Sequence, residues 1–278
     1  MKFWSLIKRV LFFQTWNRLP RSAQIGFSKI WSVIYQKKIS QFFIRPFCKM
    51  NSLSNHYLDQ FISGTGEEGY KTFQDFFTRK LRYPVAPANQ FIWPCEGYVC
   101  EQGPVSELPL VKVKGETRSL KLIFDRTASL VPNNYFYTNI FLHSHNYHRI
   151  HAPLNGKITR IEYFAGDLSI LRPWMYKRNQ VSKPALRNER VSVDITDENG
   201  HVWFLSIVGG MAVGTIQLAK NVFLGQNIRA GEELAMFLLG STCCMASPVP
   251  IAKKEYLDKV FVGQPLLSNS QELRKAEF

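Results

Sequence analysis

No aspartate or glutamate occurs before Asp59 in this chain of 278 residues. The same stretch carries ten cations: Lys2, Lys8, Arg9, Arg18, Arg21, Lys29, Lys37, Lys38, Arg45 and Lys49. Most of the formal net charge of +14 therefore belongs to the N-terminal region. Long apolar runs are missing as well. A membrane span needs about 20 consecutive apolar residues, and charges interrupt every apolar stretch before Asp59. A secretory leader fits poorly, because Lys8–Arg9 breaks the first apolar run and no small-residue cleavage site follows. Cysteine is sparse. Cys48, Cys95, Cys100, Cys243 and Cys244 form no framework of paired spacings, which points to a reduced, cytosol-facing compartment and to thiols used as small buried groups. Cys243–Cys244 lacks the paired spacing of a structural zinc site. No G-x-S-x-G elbow surrounds Ser241, which argues against a generic serine hydrolase.

What is present before Asp59 is apolar and basic at once. Phe3, Leu6, Ile7, Val10 and Phe13 recur at helical spacing. A second stretch, 23–35, holds Ile25, Phe27, Ile30, Trp31 and Ile34, and a third, 39–47, holds Phe42, Phe43 and Ile44 before Pro46. Aromatic, lysine- and arginine-rich helices suit an anionic bilayer surface, apolar face down. Nucleic-acid binding uses the same charge, but a phosphate-binding arm needs mainly charged and polar groups rather than apolar residues among the cations. The reading adopted is an anionic phospholipid membrane and no nucleic acid, with residues 1–62 as a basic amphipathic helical membrane-association region.

Beyond residue 63 the texture changes. Thr72 is a candidate N-cap for a helix over 72–82, with Phe73, Phe76, Phe77 and Leu81 on one side. Short strands are expected at 91–93, 98–100, 136–142, 157–164, 191–196, 202–207, 212–216, 234–239 and 242–247. Leu154–Asn155–Gly156, Ala165–Gly166–Asp167 and Glu198–Asn199–Gly200 punctuate them, and the Asn-Gly pairs are hairpin signals because they tolerate positive φ. The fold class is α+β: a mainly antiparallel β catalytic domain, 63–278, preceded by amphipathic N-terminal helices.

Two segments carry candidate chemistry. Four of the six histidines, His143, His145, His148 and His151, lie within nine residues. His143 and His145 are spaced for one face of a strand, and His148 and His151 for a turn. No carboxylate–histidine pattern completes a metal site, and none is assigned. The second segment, FLLGSTCCM at 237–245, runs from an apolar strand through Gly240–Ser241–Thr242 into another. Gly-Ser is commonly a turn. Buried, it has a chemical use, because glycine admits backbone geometry in which the next hydroxyl reaches its carbonyl, and a nearby base activates such a hydroxyl.

With these two segments, the chain resembles the phosphatidylserine decarboxylase family from about Phe73 to Leu267. The matching pieces come in the family's order: FQDFFTRKL (73–81), WPCEG (93–97), VKGETRSL (113–120), YHRIHAPLNG (147–156), AGDL (165–168), NER (188–190), VGGMAVGTI (208–216), GEELAMFLLGST (231–242) and GQPL (263–266). The resemblance implies a self-processing proenzyme cut between Gly240 and Ser241 into 1–240 (β chain) and 241–278 (α chain). Ser241 becomes a covalent pyruvoyl group, the only cofactor implied, which forms a Schiff base with phosphatidylserine and yields phosphatidylethanolamine. His151 corresponds to the processing base, His148 to the histidine of decarboxylation, and Glu96 to the acid that orients His151. Two positions depart from the pattern: Glu96 replaces an aspartate, and Asn146 stands where an acid is common. Lys114 and Arg190 are outside the catalytic set, and Gly209, Gly210 and Gly214 are read as close-packing positions. The implied partners are phosphatidylserine in an anionic membrane and the chain's own cleaved fragment, with a homodimer left open; the location is peripheral, on the cytoplasmic side of the cell membrane. Two alternatives stand beside this reading: a pyruvoyl enzyme for another amine-bearing acid, and an uncut, non-catalytic membrane-binding member.

Overall fold

The computed structural model describes residues 15–16, 18–210, 215–238 and 240–267. The apolar stretch 3–13, Gly214 and Leu239 lie outside the described residues, as does most of the strand expected at 212–216.

The N-terminal region is helical: α1 (Arg21–Gln36), a 3-10 segment (Lys38–Phe43), α2 (Ile44–Met50) and α3 (Asn55–Leu58). Helical spacing divides α1 in an unusual sense. Gln24 and Ser28 are buried, whereas Phe27, Ile30, Trp31 and Val33 are exposed. The segment attaches through a few aromatic contacts to α4 (Phe73–Phe77): Tyr35 and Phe47 lie 4.8 and 5.2 Å from the Phe73 ring, centroid to centroid. Thr72 caps α4 by accepting from the Asp75 amide at 3.0 Å. The helix expected over 72–82 stops at Phe77, because Lys80–Leu81 (β2) pairs with Phe61–Ile62 (β1). A local strand pairing thus overrides the helical periodicity of the sequence.

The remaining strands are β3 (Gly97–Pro104), β4 (Leu110–Val113), β5 (Glu116–Ser119), β6 (Phe136–Leu142), β7 (Arg149–His151), β8 (Gly156–Phe164), β9 (Arg190–Thr196), β10 (Val202–Gly209), β11 (Ile216–Leu218), β12 (Asn227–Ile228), β13 (Glu233–Phe237), β14 (Ser241–Ser247) and β15 (Lys259–Val260). Eight of them form one antiparallel sheet in the order β12-β8-β9-β10-β14-β6-β3-β15, and β11-β13-β7 form a smaller sheet. The fold is α+β and mainly antiparallel β, as the turn-punctuated alternation implies. A helix α5 (Lys183–Arg187) and the β4–β5 hairpin complete it.

Alternation along each strand sends side chains to two cores. Cys243 and Met245 of β14 join Ile150, Leu234 and Phe237 in the core shared with the small sheet. Cys244 and Ala246 join Val111, Leu120, Ile123 and Leu186 on the opposite face. Strand β14 is buried along its whole length, lying between β10 and β6 and covered on both faces.

Two further local expectations are corrected. The segment 91–93 contributes a single bridge, Ile92 to Pro265, because Phe91 and Trp93 are spent on the core rather than on a ladder. Asn155–Gly156 closes no hairpin; it carries the chain from β7 in the small sheet to β8 in the large one. Gly156 is needed there for space, since a Cβ would lie 2.5 Å from the Thr196 carbonyl oxygen. Only the second Asn-Gly pair turns a hairpin, between β9 and β10, with Gly200 at φ +80°.

Candidate active site

Ser241 opens β14, paired across to Gly209 on β10 and Leu142 on β6, and is fully buried. Alternation places it on the face of Cys243 and Met245, toward the core shared with β7 and β13. Gly240 has φ +45°, in the left-handed region that costs a residue with a Cβ about 1–2 kcal/mol. Gly210 lies against the same peptide: a Cβ there would sit 3.0 Å from the Gly240 carbonyl oxygen and 3.1 Å from its carbon. Gly209 likewise has Thr215 Oγ1 at 3.0 Å from a notional Cβ, so both glycines serve close packing. Asn188 holds the end of β10 from behind, donating to the Gly209 and Ser169 carbonyls at 2.9 and 2.8 Å. Gln74 on α4 donates to the Leu238 carbonyl at 3.2 Å. These bonds fix the backbone that flanks the Gly240–Ser241 peptide, at Gly209 across the ladder and at Leu238 before it.

The Ser241 hydroxyl has no hydrogen-bond partner, and neither has Nε2 of His148. A buried polar group left unpaired costs roughly 1–3 kcal/mol, and such groups in a native fold call for an explanation. His148 Nδ1 lies 2.8 Å from the Asn146 carbonyl, which can only accept; Nδ1 therefore carries the proton and Nε2 keeps a bare lone pair. Burial, with Arg79 nearby, holds the His148 imidazole well below its ordinary pKa, and its ring packs on Phe77 at 3.9 Å. The serine hydroxyl is able to donate a proton and the bare histidine nitrogen is able to accept one.

His151, the last residue of β7, is engaged at both nitrogens. Its Nδ1 donates to the Gly231 carbonyl at 2.7 Å, and its Nε2 accepts from the Tyr147 hydroxyl at 3.0 Å. Burial lowers its pKa to about 4, so it too is a neutral base at pH 7. Along β7, Ile150 enters the inter-sheet core, which places Arg149 and His151 on the other face. Arg149 there ties β7 to α4 through the Thr78 carbonyl at 2.6 Å and to Glu233 at 2.5 Å.

Glu96 is buried, but the contact expected with His151 is replaced by others. Its oxygens accept from Tyr57 hydroxyl at 2.7 Å, Asn146 Nδ2 at 2.8 Å and the Tyr147 amide at 3.2 Å, and Lys259 Nζ lies 3.0 Å away. The longer glutamate reaches the backbone of the histidine segment rather than an imidazole, and it touches His151 only through Tyr147. His143 and His145 share no strand, because β6 ends at Leu142 and 143–146 form a turn; their rings lie 4.3 Å apart beside Trp174 and Tyr98. Arg190 points its guanidinium at the Leu122, Ile123 and Leu186 carbonyls and so anchors backbone, while exposed Lys114 pairs with Asp167. Cys243 packs against Cys95 within the core. Among the described residues no cluster of three or more His, Cys, Asp or Glu side chains is arranged to hold a metal ion.

Several site residues escape sequence reasoning. Arg79 is fully buried and donates to the His145 and Asn146 carbonyls at 2.7 and 2.8 Å. Its signal was its place in FQDFFTRKL, just after the apolar Phe73, Phe76 and Phe77 of that segment. Tyr147 was visible within YHR-x-H. Tyr57 and Lys259 carried no signal, since each is an ordinary residue in a region of like residues.

The sequence pattern of the family described as phosphatidylserine decarboxylase matches residues 73–269, from α4 to beyond the last described strand. A phosphatidylserine decarboxylase proenzyme of Chromobacterium violaceum is 32% identical over 199 residues, covering 64% of this chain and 70% of its own length. The proenzyme of Dechloromonas aromatica is 31% identical over 201 residues, covering 64% and 70%. That of Methylobacillus flagellatus is 30% identical over 218 residues, covering 70% and 76%. The matched span contains Glu96, the histidine segment, both packing glycines and the Gly240–Ser241 peptide. The chain belongs to the phosphatidylserine decarboxylase family.

Proposed function

We propose that the chain cuts itself between Gly240 and Ser241 and that the product decarboxylates phosphatidylserine to phosphatidylethanolamine. The observation that carries this reading is the state of that peptide: a left-handed glycine, Gly210 bare against its carbonyl, and a buried serine hydroxyl with no partner. A base removes the Ser241 proton and the oxygen attacks the Gly240 carbonyl carbon. The C–N bond breaks and the amide becomes an ester. Loss of a proton from the serine Cα and cleavage of its Cβ–O bond release residues 1–240 with a free carboxylate. The dehydrated residue takes up water, loses ammonia and is left as a ketone. That pyruvoyl group supplies a carbonyl for the substrate amine and a sink for the electrons freed as carbon dioxide leaves. The position is fully buried, as such a group requires, and the histidine segment supplies two imidazoles that are neutral at pH 7.

The resemblance gives proton removal to His151 and the decarboxylation step to His148. A second assignment is favoured by one observation: Nε2 of His148 is unpartnered, whereas Nε2 of His151 is held by Tyr147. His148→Asn and His151→Asn separate the two, because only loss of the processing base leaves the chain uncut.

A bilayer-borne substrate suits the basic N-terminal helices, whose apolar residues Phe27, Ile30, Trp31 and Phe42 face outward beside Lys29, Lys38 and Arg45. No described helix is long and apolar enough to cross a membrane, and the proposed attachment is peripheral, to an anionic cytoplasmic leaflet.

Intact-mass measurement on freshly made protein is the test. The expected result is two chains, 1–240 and a smaller chain blocked at its N-terminus, with carbon dioxide released from added phosphatidylserine. Ser241→Ala is expected to remain one chain and be inactive. A folded wild-type chain that stays uncut would leave only a non-catalytic membrane-binding role, and a cut chain inert toward phosphatidylserine would point to another amine-bearing acid.

A further inference from the structure

Asn146 is fully buried, and every polar atom it has is in use. Its amide nitrogen donates to the His143 carbonyl at 2.8 Å, and its Oδ1 accepts from the His143 amide at 2.8 Å. Its carbonyl accepts from His148 Nδ1 and from Arg79. Its Nδ2 donates to Glu96 Oε1 at 2.8 Å. The side chain therefore has a required polarity: oxygen toward the His143 backbone, hydrogen-bearing nitrogen toward Glu96. An aspartate has the same shape and keeps the first contact, but it sets a second carboxylate oxygen against Glu96 where a donor now stands.

We infer that Asn146 and Glu96 are a matched pair of positioning residues, one neutral donor and one carboxylate, that together hold the histidine segment for cleavage at Ser241. The inference rests on the self-cleavage reading and deepens it. Glu96 gathers three parts of the chain: Tyr57 from the N-terminal helices, Asn146 and Tyr147 from the histidine segment, and Lys259 from the region that follows the cut. Asn146 passes that constraint to His148 through its own carbonyl, and Tyr147 passes it to His151 through its hydroxyl. Both departures from the family pattern thus lie in one hydrogen bond. A second acid at 146 suits a chain whose residue 96 does not reach it, and an amide at 146 suits one whose residue 96 does.

The charged and titratable groups around the pair are Lys259 on Glu96, Arg79 on the Asn146 carbonyl, Tyr57 on the far carboxylate oxygen, and His143, His145 and His148 along the segment itself. Two carboxylates in contact cannot both ionise cheaply and share one proton, which restores a donor at the contact.

The experiment follows self-cleavage with time in the full chain for wild type, Asn146→Asp and Asn146→Asp with Glu96→Gln, between pH 5.5 and 8.5, with thermal melts of the same samples. The single variant is expected to cut at least tenfold more slowly than wild type at pH 8 and to recover toward pH 5.5. The double variant, with acid and amide exchanged, is expected to cut at pH 8 faster than the single one and without its acid-side recovery. The melting temperature of the single variant is expected to approach that of wild type as pH falls. Wild-type cutting by Asn146→Asp at pH 8, or a folded double variant no faster than the single, would overturn the pairing. Wild-type protein that never cuts would overturn the self-cleavage reading alone, because the pH-dependent melting difference reports on the pair without any cleavage; a difference that does not change with pH would then overturn the pairing as well.

Discussion

The N-terminal helices and the β body divide polar and apolar residues in opposite senses. In the body, Cys243, Met245, Ile207 and Phe237 are inside, and the polar groups taken inside with them mostly have assigned partners. In α1, Gln24 and Ser28 are inside while Phe27, Ile30 and Trp31 are about half exposed or more, and Phe42 in the following 3-10 segment is 79% exposed. Single exposed apolar residues are ordinary on any surface. A run of them on one basic helical face is not, and marks a surface that something else completes. Water alone is enough to explain how the body folds; the outer face of the helices is the part that the proposed bilayer attachment would cover.

Acid treats the two regions differently, and this is the largest effect expected. His148 and His151 are buried and neutral, with His151 held at about 4. In the unfolded chain both would bind a proton below about pH 6.5. The unfolded state then carries more protons than the native one, so stability falls as pH drops from about 6.5 toward 4. For His151 alone the loss over that window is roughly 3 kcal/mol, and each histidine contributes a slope of about 1.4 kcal/mol per pH unit. Denaturant melts of the Ser241→Ala protein, which keeps one chain at every pH, measure it directly. His151→Gln is expected to flatten the slope by about one histidine's share. Binding of the helices to anionic vesicles is expected to persist where the body has lost most of its stability. An unchanged slope in His151→Gln would mean that this imidazole is already protonated in the native state.

The body was far more legible than the helices, for a physical reason. Strands buried on one or both faces repeat with period two, and Phe136–Leu142, Val202–Gly209 and Ser241–Ser247 lie close to where alternation and turn residues put them. The Gly240–Ser241 peptide and both histidines stand out in the sequence because each lies within a short motif, and their roles remain proposals. The role given to Glu96 was not legible, since one methylene decides whether its carboxylate meets an imidazole or the backbone of the segment before it. The helix that was to span 72–82 failed at Thr78, whose hydroxyl bonds back to the Gln74 carbonyl before the chain turns into β2. Nothing in the composition of residues 1–62 distinguishes Tyr57, which enters the site, from Tyr35, which only packs on Phe73.

The outer face of α1 is the next place to press. Replacing Phe27, Ile30 and Trp31 together with serine removes apolar area that is largely solvent-exposed in the isolated chain. Vesicle binding is expected to weaken by roughly 2–3 kcal/mol, about 30- to 160-fold in partitioning, if each side chain gives up around 1 kcal/mol of burial in lipid. Sedimentation with vesicles containing phosphatidylserine measures it, while self-cleavage and melting temperature should stay near wild type. A large drop in melting temperature would mean that the face is covered by protein, and the contrast between the two regions would then collapse into ordinary packing.

Tyr57 crosses the divide, and it offers the smallest and most discriminating change. It lies within the helical region, yet its hydroxyl donates to Glu96 at 2.7 Å and accepts from Arg79 at 3.2 Å. Burial and the adjacent carboxylate push its own pKa up, so it remains a donor at any working pH. Tyr57→Phe removes one hydrogen bond to a charged group, worth roughly 1.5 kcal/mol, and leaves the ring in place against Phe61. Cleavage is expected to slow several-fold with a small fall in melting temperature, while vesicle binding stays as it was. Phe42→Ser in the same region should do the reverse, weakening vesicle binding and sparing cleavage. If Tyr57→Phe cut at the wild-type rate, Glu96 would hold the histidine segment without help from the helices. The two regions would then share a chain and a packing contact but no chemistry.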